Sequence, residues 1–255
     1  SDADVGILVA FSNATVYNCT INRCLRYGAY ICYSNASFYE CMIANNSWIS
    51  VTEEIWQYPC SGLEAWFSTI FLENCISQRN TLSVNLFDSN GTVCDCIFHD
   101  DVSGIFLYGQ SDAFICCSSF CETYSAVAVW EARVNVENCT LTLTENPVPD
   151  AILLYNCTNC TIRNNAFWNS SLLISGGYEL EHFLHDISNN TVNGKPLYYF
   201  ANLDEVVVPE DAGGVIIVNC SSALLANLDI SDADVGILVA FSNATVYNCT
   251  INRCL

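Results

Sequence analysis

Residues 1–25, SDADVGILVAFSNATVYNCTINRCL, return letter for letter as residues 231–255. A match of that length is not chance, so the chain completes one period of 230 residues and enters the next. A finer period lies inside it. SNATVYNCTI (Ser12 to Ile21), SNASFYECMI (Ser34 to Ile43), SNGTVCDCIF (Ser89 to Phe98) and RVNVENCTL (Arg133 to Leu141) align on one position. That position falls at Cys19, Cys41, Cys75, Cys96, Ser118, Cys139, Cys160, Asn190, Leu228 and Cys249, mostly 21 or 22 residues apart. The wider interval from Asn190 to Leu228 leaves room for one more rung, around residues 196–208. Short periods of this kind mark solenoids, in which each repeat buries its apolar face only by stacking on the next.

The rungs are too short for a strand and a covering helix. GILVAF, TVYNCTI and GVIIVN are rich in β-branched and aromatic residues, and no segment sustains a 3.6-residue period. Val16 and Ile21 both face inward if the chain bends between them at Asn18 and Cys19. Asn suits such a bend because it tolerates left-handed φ and its amide bonds to backbone. The expected fold is all-β, a right-handed parallel β-helix of about ten rungs, with residues 1–230 as one unit and 231–255 opening the next. Two segments exceed a rung, near 51–67 and 175–186, and read as inserted loops, where recognition usually sits. No capping segment is evident, so the stack is expected to continue end to end.

Composition narrows the setting. Acids outnumber bases 27 to 7, for a formal charge of −20. Such a surface repels nucleic acid and anionic lipid and attracts cations or basic partners. No apolar run reaches transmembrane length. Seventeen cysteines suit an oxidising, extracellular environment, and the start in mid-pattern reads as a mature fragment of an exported protein.

The cysteines carry the most informative chemistry. Stacked rungs place equivalent Cα atoms about 4.8 Å apart, inside the disulfide range. The candidate pairs are Cys19 with Cys41, Cys75 with Cys96, Cys139 with Cys160, and Cys94 with Cys116. Reduced cysteines filling a narrow core are the competing reading. Cys60, Cys24, Cys32, Cys117, Cys121, Cys157 and Cys220 are unassigned. One period holds 17 − 2 = 15 cysteines once the duplicates Cys249 and Cys254 are set aside, so either a thiol stays free or a bond leaves the unit. Cys157 and Cys160 have metal-ligand spacing, but no second C-x-x-C or His pair completes a zinc site and no haem motif is present. No cofactor is expected.

The repeated S-N-A-T-V-x-N-C-T-I, with NGKPLYY (Asn193 to Tyr199) leading into VPEDAGGVIIVNC (Val208 to Cys220), resembles parallel β-helix repeats of the NosD and pectate-lyase-like kind. That kind is common in large surface proteins of methanogenic archaea. A tandem, acidic, cysteine-rich version looks like the subunit of a methanogen tubular sheath or related surface layer, which implies β-rich hoops linked by disulfides.

Polysaccharide lyases and hydrolases share this coil, and they need clustered acids and bases. The bases Arg23, Arg26, Arg79, Arg133, Arg163, Lys195 and Arg253 are scattered. His99-Asp100-Asp101 is the one acidic cluster of note, without the Gly-His-Gly and Arg-x-Lys partners of polygalacturonases. His182 and His185, beside Glu179 and Glu181, form at most a surface metal site. No enzyme is expected. Many N-x-S/T sequons coincide with bends, where Asn serves the backbone; Asn45, Asn90 and Asn169 are the better glycosylation candidates. The expected function is a secreted structural protein of a sheath, S-layer or filament. Its partner is another copy of itself, end to end and lateral, with divalent cations or glycans as further partners, and with neither nucleic acid nor membrane insertion. The alternatives are a glycan-binding adhesion module or, further off, a polysaccharide lyase or hydrolase.

Overall fold

The computed structural model describes residues 3–46, 61–143 and 150–254. Three strands make each turn, and equivalent strands of successive turns pair in parallel. Val5–Ala10, Tyr27–Cys32, Ser61–Trp66 and Leu82–Phe87 begin an eight-stranded first sheet that ends at Leu172–Ser175. Asn13–Tyr17 begins an eight-stranded second sheet ending at Asp186–Ser188, and Thr20–Asn22 begins the third sheet. The result is the expected all-β parallel solenoid of about ten turns, eight of them in one continuous stack. Ala29, Leu63 and Val84 occupy one register position in successive turns, and all three are fully buried.

The corners explain the asparagines. At nearly every bend one residue takes positive φ, among them Asn18, Asn45, Asn74, Asp95, Asn138, Asn164 and Asn189. Most such positions hold Asn or Asp, which adopt this conformation at lower cost than other side chains. The amide of that residue still bonds to the next turn, as Asn18 does to the Tyr39 carbonyl at 2.9 Å and Asn74 to Cys94 at 3.2 Å. The backbone ladder therefore continues around the bend.

The sequence reading needs three corrections. Ser61–Trp66, inside the segment read as inserted, is a rung strand paired with Tyr27–Cys32 and Leu82–Phe87; residues 51–60 lie outside the described residues. Next, the solenoid reverses within residues 1–230. Thr191–Val192 pairs antiparallel with Lys195–Ala201 through a two-residue Asn193-Gly194 turn, with φ of 51° and 78°. This is the hairpin geometry that Asn-Gly favours. The third sheet runs on through Lys195–Ala201, Gly214–Val218 and Ile237–Ala240, while new short sheets form around Ser222–Ala226 and Asp229–Ser231. Gly213 permits the close approach: a Cβ there would meet the Val192 carbonyl oxygen at 2.5 Å.

Finally, the end of the eight-turn stack is covered. Gly214–Val218 is buried on both faces, with Ile216 and Val218 turned to the first core and Val215 and Ile217 to a second. The other inserted segment supplies the 3-10 helix Leu180–Phe183, and Leu180, Phe183 and Leu184 pack on the first core beside Tyr199, Ala201 and Leu238. The Tyr199 hydroxyl donates to the Phe183 carbonyl at 2.9 Å and accepts from the His185 amide at 3.0 Å. The inserted segment thus closes this end of the stack.

Candidate functional site

Each corner of the eight-turn stack carries a column of inward side chains one residue after the positive-φ position. Between the first and second sheets the column is serine. The Ser34 hydroxyl accepts the Ser12 amide at 3.1 Å, Ser68 accepts that of Ser34 at 3.1 Å, and Ser89 that of Ser68 at 3.0 Å. Between the third and first sheets Asn46 accepts the Cys24 amide at 3.1 Å, Asn80 that of Asn46 at 2.9 Å, and Asp101 that of Asn80 at 2.7 Å. A buried amide must find an acceptor, and each rung supplies one to its neighbour.

The third corner is the cysteine column. Cys41, Cys75, Cys96 and Cys139 are buried, while Cys19 at the first turn is exposed. Their sulfurs stand where the serine hydroxyls stand elsewhere, taking the amides of Cys19, Cys41, Cys75 and Ser118. The thiols in turn donate to strand carbonyls, as Cys75 does to Phe38 at 3.4 Å. Cys96 also hydrogen bonds to Cys75, which lowers Cys75 to about 7 and raises Cys96; the two titrate as a pair. Cys19 and Cys41, and Cys75 and Cys96, occupy one column as free thiols. Cys139 and Cys160 do not share it. The Cys139 amide meets Asn165, at 2.9 Å, in the next turn. Cys160 precedes Thr161–Arg163 of the second sheet and lies beside Cys157, because two positive-φ residues, Asn156 and Asn159, lengthen that corner. The C-T-I motif there opens a different strand.

On the outer face of the second sheet, Cys94 and Cys116 stand at disulfide distance, with Cα atoms 4.8 Å apart. Asn45 and Asn169 are exposed corner residues with positive φ, and Asn90 is the exposed first residue of its strand.

The candidate catalytic groups do not converge. His99 faces Glu122 at 3.3 Å, Asp100 pairs with Arg79 at 3.0 Å, and Asp101 turns into the corner, where burial raises it to about 7. His185 is held inside, its Nδ1 accepting the Cys160 amide at 3.4 Å and its Nε2 bonded to the His182 carbonyl at 3.0 Å; burial lowers it to about 4. Glu179, Glu181 and His182 gather on the exposed loop. Sequence reasoning passed over Glu64, which is buried on the outer face of the first sheet and raised by that burial. Its carboxylate accepts from Ser61 at 2.7 Å, Trp66 at 2.6 Å and Asn85 at 2.9 Å, so its oxygens are engaged structurally.

Sequence reasoning also passed over a surface stripe of aromatic rings. Phe11 stacks on Tyr33 at 5.4 Å and Tyr33 on Phe67 at 5.0 Å, with interplanar angles of 4° and 9°. Phe87, Tyr108, Trp130 and Tyr155 continue a neighbouring column. Rings and the amides of Asn13, Asn35 and Asn90 line an open groove of about 580 Å³. The sequence signal is a ring one residue past the end of each early first-sheet strand, Phe11, Tyr33 and Phe67, and these line up only once the segment before Ser61 is set aside.

A family model described as a right handed beta helix region matches residues 1–141 and 125–255. No curated protein matches the chain. Among solved structures the chain is similar to QnrB1, a plasmid-mediated fluoroquinolone resistance protein, at 13% identity over 94% of this chain and 92% of that chain. The TM-score of that match is 0.22, too low to bear on function.

Proposed function

The chain belongs to the right-handed β-helix family, and from that premise we propose that it is a structural protein of an extracellular cell-surface assembly, a sheath, S-layer or filament, and not an enzyme. One observation carries the reading: the rung of residues 1–25 recurs as residues 231–255 and stacks in parallel in both copies, on the following turn in the first and on the preceding turn in the second. A solenoid gains stability with each rung added, so rungs that recur along the sequence favour an extended assembly. The acidic surface favours divalent cations between neighbouring assemblies. A methanogen sheath hoop is the specific form that the sequence resemblance favours.

The test is electron microscopy of purified chain under oxidising and reducing conditions. Elongated assemblies that a reductant loosens are expected; a monomer at every concentration would refute the proposal. The aromatic groove favours a second reading, adhesion to a neutral glycan, since stacked rings flanked by amides suit sugar rings and hydroxyls. Oligosaccharide binding abolished by Tyr33→Ala and Phe67→Ala, in a chain that does not assemble, would select that reading.

A further inference from the structure

The buried thiols of the cysteine corner share one posture. Cys41 donates to the Tyr39 carbonyl at 3.2 Å, Cys75 to that of Glu73 at 3.4 Å and Cys96 to that of Cys94 at 3.2 Å, always two residues back. Each sulfur also takes the amide of the cysteine one turn earlier. The strands that follow stay in register, Met42 with Ile76 and Ile76 with Ile97. Side chains in one posture on stacked turns differ by the rung translation alone, so their sulfurs stand about 4.8 Å apart.

That spacing does not suit a disulfide, which asks for sulfurs about 2.05 Å and Cβ atoms about 3.8 Å apart. Cys94 and Cys116 on the outer face, with Cα atoms 4.8 Å apart, reach disulfide distance by leaning together. The inner thiols would have to abandon their amides to do the same, and a buried amide without an acceptor is costly. Two metal–thiolate bonds of about 2.3 Å laid end to end span about 4.6 Å, close to one rung. The Cys75 sulfur receives hydrogen bonds from the Cys96 and Cys41 thiols, which hold it at about 7, so a proton lies on the line between Cys75 and Cys96. A third ligand is out of reach. Among the described residues, the group of three ligand atoms close enough to hold one ion is Glu179, Glu181 and His182, on the exposed loop.

We propose that Cys75 and Cys96 form a two-coordinate site for a soft monovalent d10 cation of the Cu(I) class, held between two stacked turns. Thiolates select such ions, whereas Zn(II) asks for four tetrahedral ligands and the column offers two in line. Binding exchanges protons for metal: two thiols and one Cu(I) give an S–Cu–S unit of charge −1 and release two protons. Sulfur lone pairs form both bonds, and nothing is oxidised or reduced. The Cys41 and Cys75 amides and the Cys41 thiol already point at the two sulfurs and offset that charge. Both cysteines are no more than 3% exposed, so the ion enters as the chain folds, and its binding energy adds to that of folding.

The test is refolding of the full chain from urea without oxygen, with Cu(I) supplied as its acetonitrile complex, then gel filtration in the Cu(I) chelator bathocuproine disulfonate. Beside it runs a Cys75→Ser, Cys96→Ser double variant. Serine already fills this slot at Ser118, and circular dichroism checks that the β-fold is kept. The parent is expected to hold about one copper per chain that the variant lacks, and copper should raise the parent's urea midpoint more than the variant's. A Cys157→Ser, Cys160→Ser variant, which removes the other buried thiol pair, should keep that ion. If the double variant does not fold, Cys96→Ser alone reads the same difference. Equal copper in parent and variant overturns the site, and so does a parent that the chelator strips completely. Zn(II) retained in place of copper, with the same loss in the variant, overturns the two-coordinate geometry.

Discussion

At the serine corner, a hydroxyl one residue past the bend takes the amide of the turn before it, 3.0–3.1 Å away. At the cysteine corner the sulfurs of Cys41, Cys75 and Cys96 occupy that same place. A thiol is a weaker acceptor than a hydroxyl, yet it holds the same slot. The slot is therefore defined by the backbone, which needs a small inward acceptor at each corner, and chemistry beyond that is free to vary. Ser118 within the cysteine column shows the interchange directly, taking the Cys96 amide at 3.2 Å.

The corner between the third and first sheets pushes the comparison furthest, because one of its acceptors ionises. Asp101 is raised from 3.8 to about 7, first by burial. A carboxyl raised on folding stabilises while protonated. Its contribution is full below pH 3.8, declines as pH rises toward 7 and is lost above. The shift of about 3 units corresponds to about 4 kcal/mol. Asp234, also raised to about 7 by burial, adds a second decline in the same window. His185, lowered to about 4 by burial, opposes this decline between pH 4 and 6.5, so denaturant midpoints should show a net fall from pH 4 to pH 8, and Asp101→Asn, which copies Asn80 beneath it, should make that fall clearly shallower. An unchanged slope in the variant would show that Asp101 is not the titrating acceptor.

Asn80 offers the next largest effect. Its side chain accepts the Asn46 amide and donates to the Ile43 carbonyl and the Ser77 hydroxyl, each at 2.9 Å. Asn80→Leu fills similar volume but strands a buried amide and a carbonyl, at a cost of about 3 kcal/mol. Ser89→Ala at the serine corner strands the Ser68 amide and takes a donor from the Phe87 and Ala65 carbonyls; the Phe87 carbonyl keeps the Phe67 amide, so the loss should be about half as large. Equal losses by urea denaturation would mean that the corners do not differ in the number of bonds each residue holds.

How much of this could be read beforehand follows from the same columns. The rung spacing, the inward Val16 and Ile21, and asparagine at the bends were legible, because period and left-handed φ leave marks in single residues. Cys160 was misplaced because Asn-Cys-Thr followed by an apolar residue recurs at 138–141 and 159–162, and local similarity cannot show that the Asn156 to Asn159 corner is longer. The reversal at Asn193-Gly194 did carry a hairpin signature, yet the strong solenoid pattern on both sides concealed it. The aromatic groove depends on which neighbouring rungs stand in register, and an inserted segment before Ser61 hid that in the linear sequence.

The thiols on the two sides of the second sheet should also part company. Cys94 and Cys116 close a loop of 22 residues on the outer face, and reducing a bond across such a loop costs up to about 3 kcal/mol in chain entropy. Alkylation after mild reduction should label this pair while Cys75, Cys96 and Cys139 react only on unfolding, since they are no more than 3% exposed. Labelling of the inner column at the same rate would mean that the interior opens without unfolding.

The smallest expected effect tests the comparison most directly. If the corner slot asks only for a small acceptor, Cys96→Ser should change stability by less than about 1 kcal/mol, because a hydroxyl can take the Cys75 amide as Ser118 takes that of Cys96. Cys96→Val, close in size but with no acceptor, should cost about 2 kcal/mol by stranding that amide. Measured side by side in urea with reductant present, the two variants separate acceptor from volume. Should valine prove as well tolerated as serine, the cysteine column is apolar filling, and its likeness to the serine corner is one of position alone.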